Sequence, residues 1–87
     1  MDKIFNIDNI QINIPEELYE KAKQHFIIDD NIIFLNAYFK NCIRSQYCKD
    51  FNDLEKYSFE NICKKLSNNE ISLLVQNAIK KDISESV

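Results

Sequence analysis

The stretch that decides the fold is Asn9-Ile10-Gln11-Ile12-Asn13-Ile14-Pro15, followed at once by Glu16-Glu17-Leu18. Successive side chains of a strand point to opposite faces, so this strict alternation sets Ile10, Ile12 and Ile14 on one face and Asn9, Gln11 and Asn13 on the other. One face is built for a core and the other for water. Pro15 cannot donate to a sheet ladder but suits the first helical turn, where Glu16 and Glu17 meet the positive end of the helix dipole. The strand must hand over directly to a helix.

Working outward, Leu18, Ala22 and Phe26 are spaced by four and predict a helix to about Phe26 with a narrow apolar stripe. Asp29, Asp30 and Asn31 supply capping chemistry for a second helix over Ile32 to Tyr47. Its main stripe is Ile32, Leu35, Phe39, Cys42 and Ile43, widened by Ile33, Phe34, Ala37 and Tyr38, which calls for neighbours on more than one side. Beyond a less regular stretch from Lys49, Ser58 caps a third helix carrying Phe59, Ile62, Cys63 and Leu66. Ser67 and Glu70 then form a capping box ahead of Ile71, Leu74, Val75, Ala78 and Ile79, the spacing of an amphipathic fourth helix. Lys80 and Lys81 suit its C-terminal end, and Ser84 to Val87 are expected to fray.

Composition bounds the rest. Eighty-seven residues make a single domain with a thin stability margin, and 45% hydrophobic content with ten aromatics is ample for a core. With no Gly and one Pro, glycine-rich phosphate loops and dinucleotide-binding turns are excluded. The longest apolar runs, Phe26 to Ile28 and Ile32 to Leu35, fall far short of a membrane span, and no basic leader precedes an apolar stretch, so no membrane partner and a cytoplasmic setting are expected. Three cysteines, Cys42, Cys48 and Cys63, do not make an even disulfide framework and suit a reducing compartment. A zinc site from His25 and these thiols lacks any close C-x-x-C pair, so no metal and no cofactor are expected. His25 has no nucleophile or acid beside it in sequence, and no catalytic residue is expected.

The net charge is −3. Asp2, Asp8, Glu16, Glu17 and Glu20 face only Lys3 within the first twenty residues, and no strongly basic stripe follows. Affinity for nucleic acid comes mainly from cations that neutralise phosphates, so this balance counts against general binding without excluding a small specific reader.

The order of alternating strand, Pro-initiated helix, short polar turn and apolar second helix resembles the ribbon-helix-helix (MetJ/Arc-type) DNA-binding family. The likeness rests on N-I-Q-I-N-I-P running into P-E-E-L-Y-E-K-A and on N-I-I-F-L-N-A-Y-F-K-N-C-I, about two fifths of the chain. It implies a homodimer whose two strands pair antiparallel, with Asn9, Gln11 and Asn13 entering the DNA major groove and Ile10, Ile12, Ile14, Leu35 and Phe39 packing the core or dimer interface. Asn and Gln suit bidentate contacts to adenine. The chain departs from the family's pattern in having no Gly in the turn before the second helix, in carrying Asp29 and Asp30 there, and in lacking Arg or Lys on the strand.

A rival arrangement needs no second chain: Lys3 to Ile7 and Ile10 to Ile14 form a hairpin about Asp8-Asn9, with Phe5, Ile7, Ile10, Ile12 and Ile14 on one face. The expected fold is thus mainly α with one short N-terminal strand or a β-hairpin: a ribbon-helix-helix-like part over 9–47 and two further helices in 48–87. The intermolecular ribbon is the preferred arrangement. Two functions follow: a small dimeric DNA-binding regulator of repressor or antitoxin type, or an acidic inhibitor of phage or mobile-element origin that blocks a partner protein.

Overall fold

A computed structural model describes residues 1–25, 31–48 and 57–85. The hairpin, not an unpaired strand, is what the N-terminus forms. Strand β1 (Asp2–Ile7) pairs antiparallel with β2 (Ile10–Pro15) in a register that sets Ile7 opposite Ile10, Phe5 opposite Ile12 and Lys3 opposite Ile14. The two-residue connection is why. Asp8 and Asn9 both take positive φ, 49° and 67°, the left-handed pair whose twist matches a hairpin, and their short polar side chains tolerate that region. Asn9 therefore belongs to the turn, not to the strand face expected for it.

Alternation then sorts the side chains. Ile7, Ile12 and Ile14 are buried and Phe5 and Ile10 are half-buried on the helix side, while Asp2, Ile4, Asn6 and Gln11 are exposed. Fully burying an isoleucine contributes about 1.5–3 kcal/mol, so the inward face of the hairpin is a principal source of stability.

Helix α1 (Glu16–His25) follows Pro15 without a break. It buries Tyr19 and Ala22 and half-buries Leu18. The inward stripe is centred on Tyr19, whose ring meets Phe5 at 5.4 Å and lies under the Lys3 ammonium at 4.6 Å, so an amphipathic tyrosine does the packing that Leu18 was expected to lead. Phe26, Asp29 and Asp30, expected to pack and to cap, lie outside the described residues.

Helix α2 (Ile32–Tyr47) starts at Asn31, whose side chain accepts the Ile33 N–H at 2.8 Å. Leu35, Phe39, Cys42 and Ile43 are buried as the stripe predicts, but Ile32 is 56% exposed and Ile33 76% exposed among the described residues. The helix is thus exposed at its start and buried along one stripe from Leu35 onward. Phe34 stacks on Tyr38 with ring centroids 6.0 Å apart.

Ser58 caps α3 (Phe59–Lys65) by accepting the Asn61 N–H, and Ser67 and Glu70 cap α4 (Asn68–Glu85) reciprocally. Helix α4 runs through Ser84 and Glu85, so Lys80 and Lys81 lie inside it and not at its end. It is the central element, packing against β2, α1 and α2, while α3 rests on α2. Its buried residues Ile71, Val75, Ala78 and Ile79 meet the core of Ile12, Ile14, Leu35, Phe39 and Ile43. Among the described residues no helix is long and apolar enough to cross a membrane.

Candidate functional site: the hairpin surface and its flanking clefts

The residues expected to read a partner sit on and around the outer face of the hairpin. Gln11 is exposed there and its amide donates to the Asn13 side chain at 3.1 Å, so the two polar groups partly satisfy each other. Asn13 is only half-buried, because α4 lies beside it. Its main-chain N–H donates to Ser72 Oγ at 3.0 Å, and its carbonyl accepts from Gln76 Nε2 at 2.8 Å. Asn9 projects from the turn. The structure thus sets Gln11 and Asn13 side by side and leaves Asn9 at the hairpin tip.

Those two contacts to Asn13 close the outer edge of β2. In an antiparallel pair, opposed residues either exchange both main-chain hydrogen bonds or point both groups away. Asn13 points away from β1, toward α4, so Ile4, its cross-strand partner, points its own N–H and C=O out of the hairpin on the other side. By the same alternation, so do Asp2 and Asn6. One edge of the sheet is sealed by α4 and the other is open among the described residues. An arrangement in which β2 pairs with a second β2 would need an edge that Ser72 and Gln76 already occupy.

Ser72 and Gln76 escaped the sequence reading, although a signal was present. Ser72 falls beside Ile71 and Val75 on the stripe of an amphipathic helix, and at 5% exposure it is a buried polar residue that must find a partner.

Near the hairpin two lysines are already engaged, Lys3 over the Tyr19 ring and Lys40 beside Asp8. Asp8 makes an ion pair with Lys40 at 2.7 Å, both side chains well exposed, and the Lys40 ammonium also lies 5.3 Å from the centre of the Phe59 ring. This ties the turn to α2 and α3, for about 0–1 kcal/mol from the exposed ion pair itself. The outward side chains Asp2, Ile4, Asn6, Gln11 and Asn13 include no cation. At the junction of β2 and α1 an open cleft of about 580 Å³ is lined by Asp2, Glu16, Glu17 and Glu20, with Lys21 as its one cationic side chain.

A smaller cleft of about 150 Å³ between α2 and α4 is polar. Here the Tyr38 hydroxyl donates to Asp82 Oδ2 at 3.2 Å. Burial raises the Tyr38 phenol well above its ordinary range, and the neighbouring Cys42 and Asp82 reinforce the shift. Burial also pushes the Cys42 thiol up to about 12, against the opposing pull of the Tyr38 hydroxyl. Cys63 is pushed up to about 11, by burial first and then by the Asp8 carboxylate, with Lys40 acting in the other direction. A thiol nucleophile needs the thiolate, and these thiols stay protonated near neutrality. Cys42, Cys48 and Cys63 are all free, and among the described residues no three His, Cys, Asp or Glu side chains gather in a metal-holding group.

No family model, curated protein or solved structure matches this chain.

Proposed function

We propose that the protein is a non-catalytic binding protein that acts by occupying a cationic surface of a partner protein, as an acidic inhibitor of the kind carried by phages and mobile elements. The observation that carries this reading is the cleft at the β2–α1 junction, whose lining side chains include four carboxylates and one lysine. Such a surface favours encounter with a basic patch, and its main effects are on association rate and on selectivity. The outward face of the hairpin supports the same reading, because Asp2, Ile4, Asn6, Gln11 and Asn13 offer no cation to a phosphate backbone.

The alternative is a DNA-binding regulator. It draws on one specific feature, the adjacent amides of exposed Gln11 and half-buried Asn13, whose chemistry suits adenine. The two readings separate in one experiment. The immobilised protein is offered extract from its source cells before and after nuclease treatment, beside a variant with Glu16→Lys, Glu17→Lys and Glu20→Lys. The inhibitor reading expects a protein captured by the wild type in both extracts, released by salt and not retained by the variant. Sequence-selective retardation of DNA by the purified wild type at about 0.15 M salt, where weak cationic attraction is screened, would overturn it.

A further inference from the structure

We infer that the open edge of β1 is a self-association surface, on which two copies of the chain join their hairpins into a four-stranded antiparallel sheet with Ile4 on the two-fold axis. The proposed edge shares Asp2 with the acidic cleft, but the inference does not depend on what that cleft binds.

Three observations lead to it. The first is the asymmetry of the hairpin edges. Ser72 and Gln76 take the outward N–H and C=O of Asn13 on β2, whereas the outward groups of Asp2, Ile4 and Asn6 on β1 have no partner among the described residues. Proteins ordinarily protect such an edge with a proline, a bulge, an outward lysine or a covering element. β1 has no proline and pairs residue for residue with β2 without a bulge. Its one lysine, Lys3, lies on the helix side over Tyr19.

The second observation is Ile4 itself. It is 58% exposed in the middle of an otherwise polar outward face. On a two-fold axis it would lie against its own copy, and cross-strand pairs of β-branched side chains are favourable.

The third is the register. Only outward-pointing residues can oppose one another across the new edge, so the choices are few. Centring on Ile4 opposes Asp2 to Asn6 of the second copy on both sides, and each opposed pair exchanges two N–H···O bonds. Sliding the copies one way sets Asp2 against Ile4, an acid against an apolar side chain. Sliding them the other way brings Asp2 against Asp8, two like charges. The Ile4-centred register alone uses all three outward residues without such a conflict. A second copy therefore fits this edge in chemistry as well as in backbone geometry, and it would add buried surface to a domain whose size leaves it a thin margin.

The test uses solution mass and a cross-link. Light scattering from micromolar to submillimolar concentration is expected to reach twice the 10.3 kDa chain mass for the wild type. Ile4→Lys, which sets two ammonium groups against each other, is expected to stay at the monomer mass with an unchanged circular dichroism spectrum. In a Cys63→Ser background, Ile4→Cys is expected to give a reducible dimer under mild oxidant. Hydrogen-bonded antiparallel partners have Cα atoms about 5.5 Å apart, within disulfide reach. Leu73→Cys, equally exposed but away from this edge, is expected to remain monomeric on a non-reducing gel. A monomeric wild type throughout the concentration range overturns the inference. So does a dimer that survives Ile4→Lys, or cross-linking at position 73 as fast as at position 4. Should Ile4→Lys fail to fold, the relative cross-linking rates decide.

Discussion

Asn13 gives its main-chain N–H to the hydroxyl of Ser72 at 3.0 Å, a contact that joins residues 59 positions apart and seals one edge of the hairpin. With Gln76 on the carbonyl of the same residue, α4 acts as a third, side-chain strand beside β2. Ser72→Ala removes the acceptor while keeping the small volume, which leaves a half-buried N–H unsatisfied. The expected loss is about 1–3 kcal/mol, toward the lower end because water reaches part of Asn13. Urea denaturation should show a lower midpoint with an unchanged slope. No change in midpoint would mean that the β2 edge is held by Gln76 and apolar packing alone.

The two faces of the hairpin make opposite predictions for the same substitution. Ile12 is 0% exposed and Ile4 is 58% exposed. Lysine at position 12 buries an unpaired charge at a cost of several kcal/mol, comparable to the whole stability of a small domain, and should abolish cooperative thermal unfolding. At a concentration low enough for both proteins to be monomeric, lysine at position 4 should leave the melting temperature within a few degrees of wild type, since surface changes usually stay within about 0.5 kcal/mol. Equal effects of the two substitutions would contradict the register that pairs Phe5 with Ile12.

Much of this architecture is legible in the sequence, and the reasons are specific. The alternation of Ile10, Ile12 and Ile14, the start of α1 after Pro15, the bounds of α2 and the capping box at Ser67 all follow from local chemistry, and the structure has each of them. The choice between hairpin and ribbon was harder, because it turned on whether Asp8 and Asn9 would both accept positive φ, and Asp-Asn is a weaker signal there than Asn-Gly. The β2 edge was not legible at all. It is closed by two side chains about sixty residues away, and periodicity carries no information about such contacts. Ile32 and Ile33 read as core residues from their spacing, but burial also depends on what lies opposite, and they are exposed.

The raised thiols predict alkaline sensitivity. A cysteine in an unfolded chain titrates near about 8.5. In the fold Cys42 is held up to about 12 and Cys63 up to about 11, both chiefly by burial. Because the folded values lie above the unfolded one, the stabilisation is complete below the unfolded value. It is lost as pH rises from there through the folded values. The melting temperature should therefore be flat across neutral pH and fall progressively in alkali. Cys42→Ser with Cys63→Ser should flatten that fall, leaving the part due to the raised Tyr38 phenol. In labelling at neutral pH the half-buried Cys63 should react ahead of the buried Cys42 and Cys48; simultaneous labelling of all three would mean that the α2 core opens readily.

At the other end of the pH scale the capping box is the group to watch. Glu70 accepts the Ser67 main-chain N–H at 3.1 Å, which lowers its carboxyl pKa, while its own N–H donates to Ser67 Oγ at 3.2 Å. A lowered folded pKa gives stability that is present above the unfolded carboxylate value and lost as pH falls through the folded one. Ser67→Ala is expected to cost about 1 kcal/mol at neutral pH, the ordinary value for a helix N-cap. Glu70→Gln should remove the acid-side contribution while retaining much of the helix. If acid titration of circular dichroism is the same for wild type and Glu70→Gln, the box contributes nothing that depends on charge.

The sharpest functional prediction concerns Gln11 and Asn13. α4 holds Asn13 by its main chain and not by its side chain, so changing both residues to Ala should leave the fold intact and remove only the exposed amide pair. If the protein reads DNA, each good bidentate contact is worth about 1–3 kcal/mol of base discrimination, and a symmetric dimer loses each one twice. Retardation of DNA from the chain's own upstream region should then collapse for the operator and persist for unrelated sequence. If the acidic cleft is the working surface, the wild type and the double variant should both fail to retard that DNA at about 0.15 M salt, where weak cationic attraction is screened. Both should still capture the same protein partner. The reversal variant at Glu16, Glu17 and Glu20 gives the complementary result, losing the partner while still melting cooperatively, at a somewhat lower temperature because lysines in the first turn of α1 oppose the helix dipole. A double variant that loses the protein partner while the charge-reversed one keeps it would move the site from the β2–α1 cleft to the outer face of the hairpin.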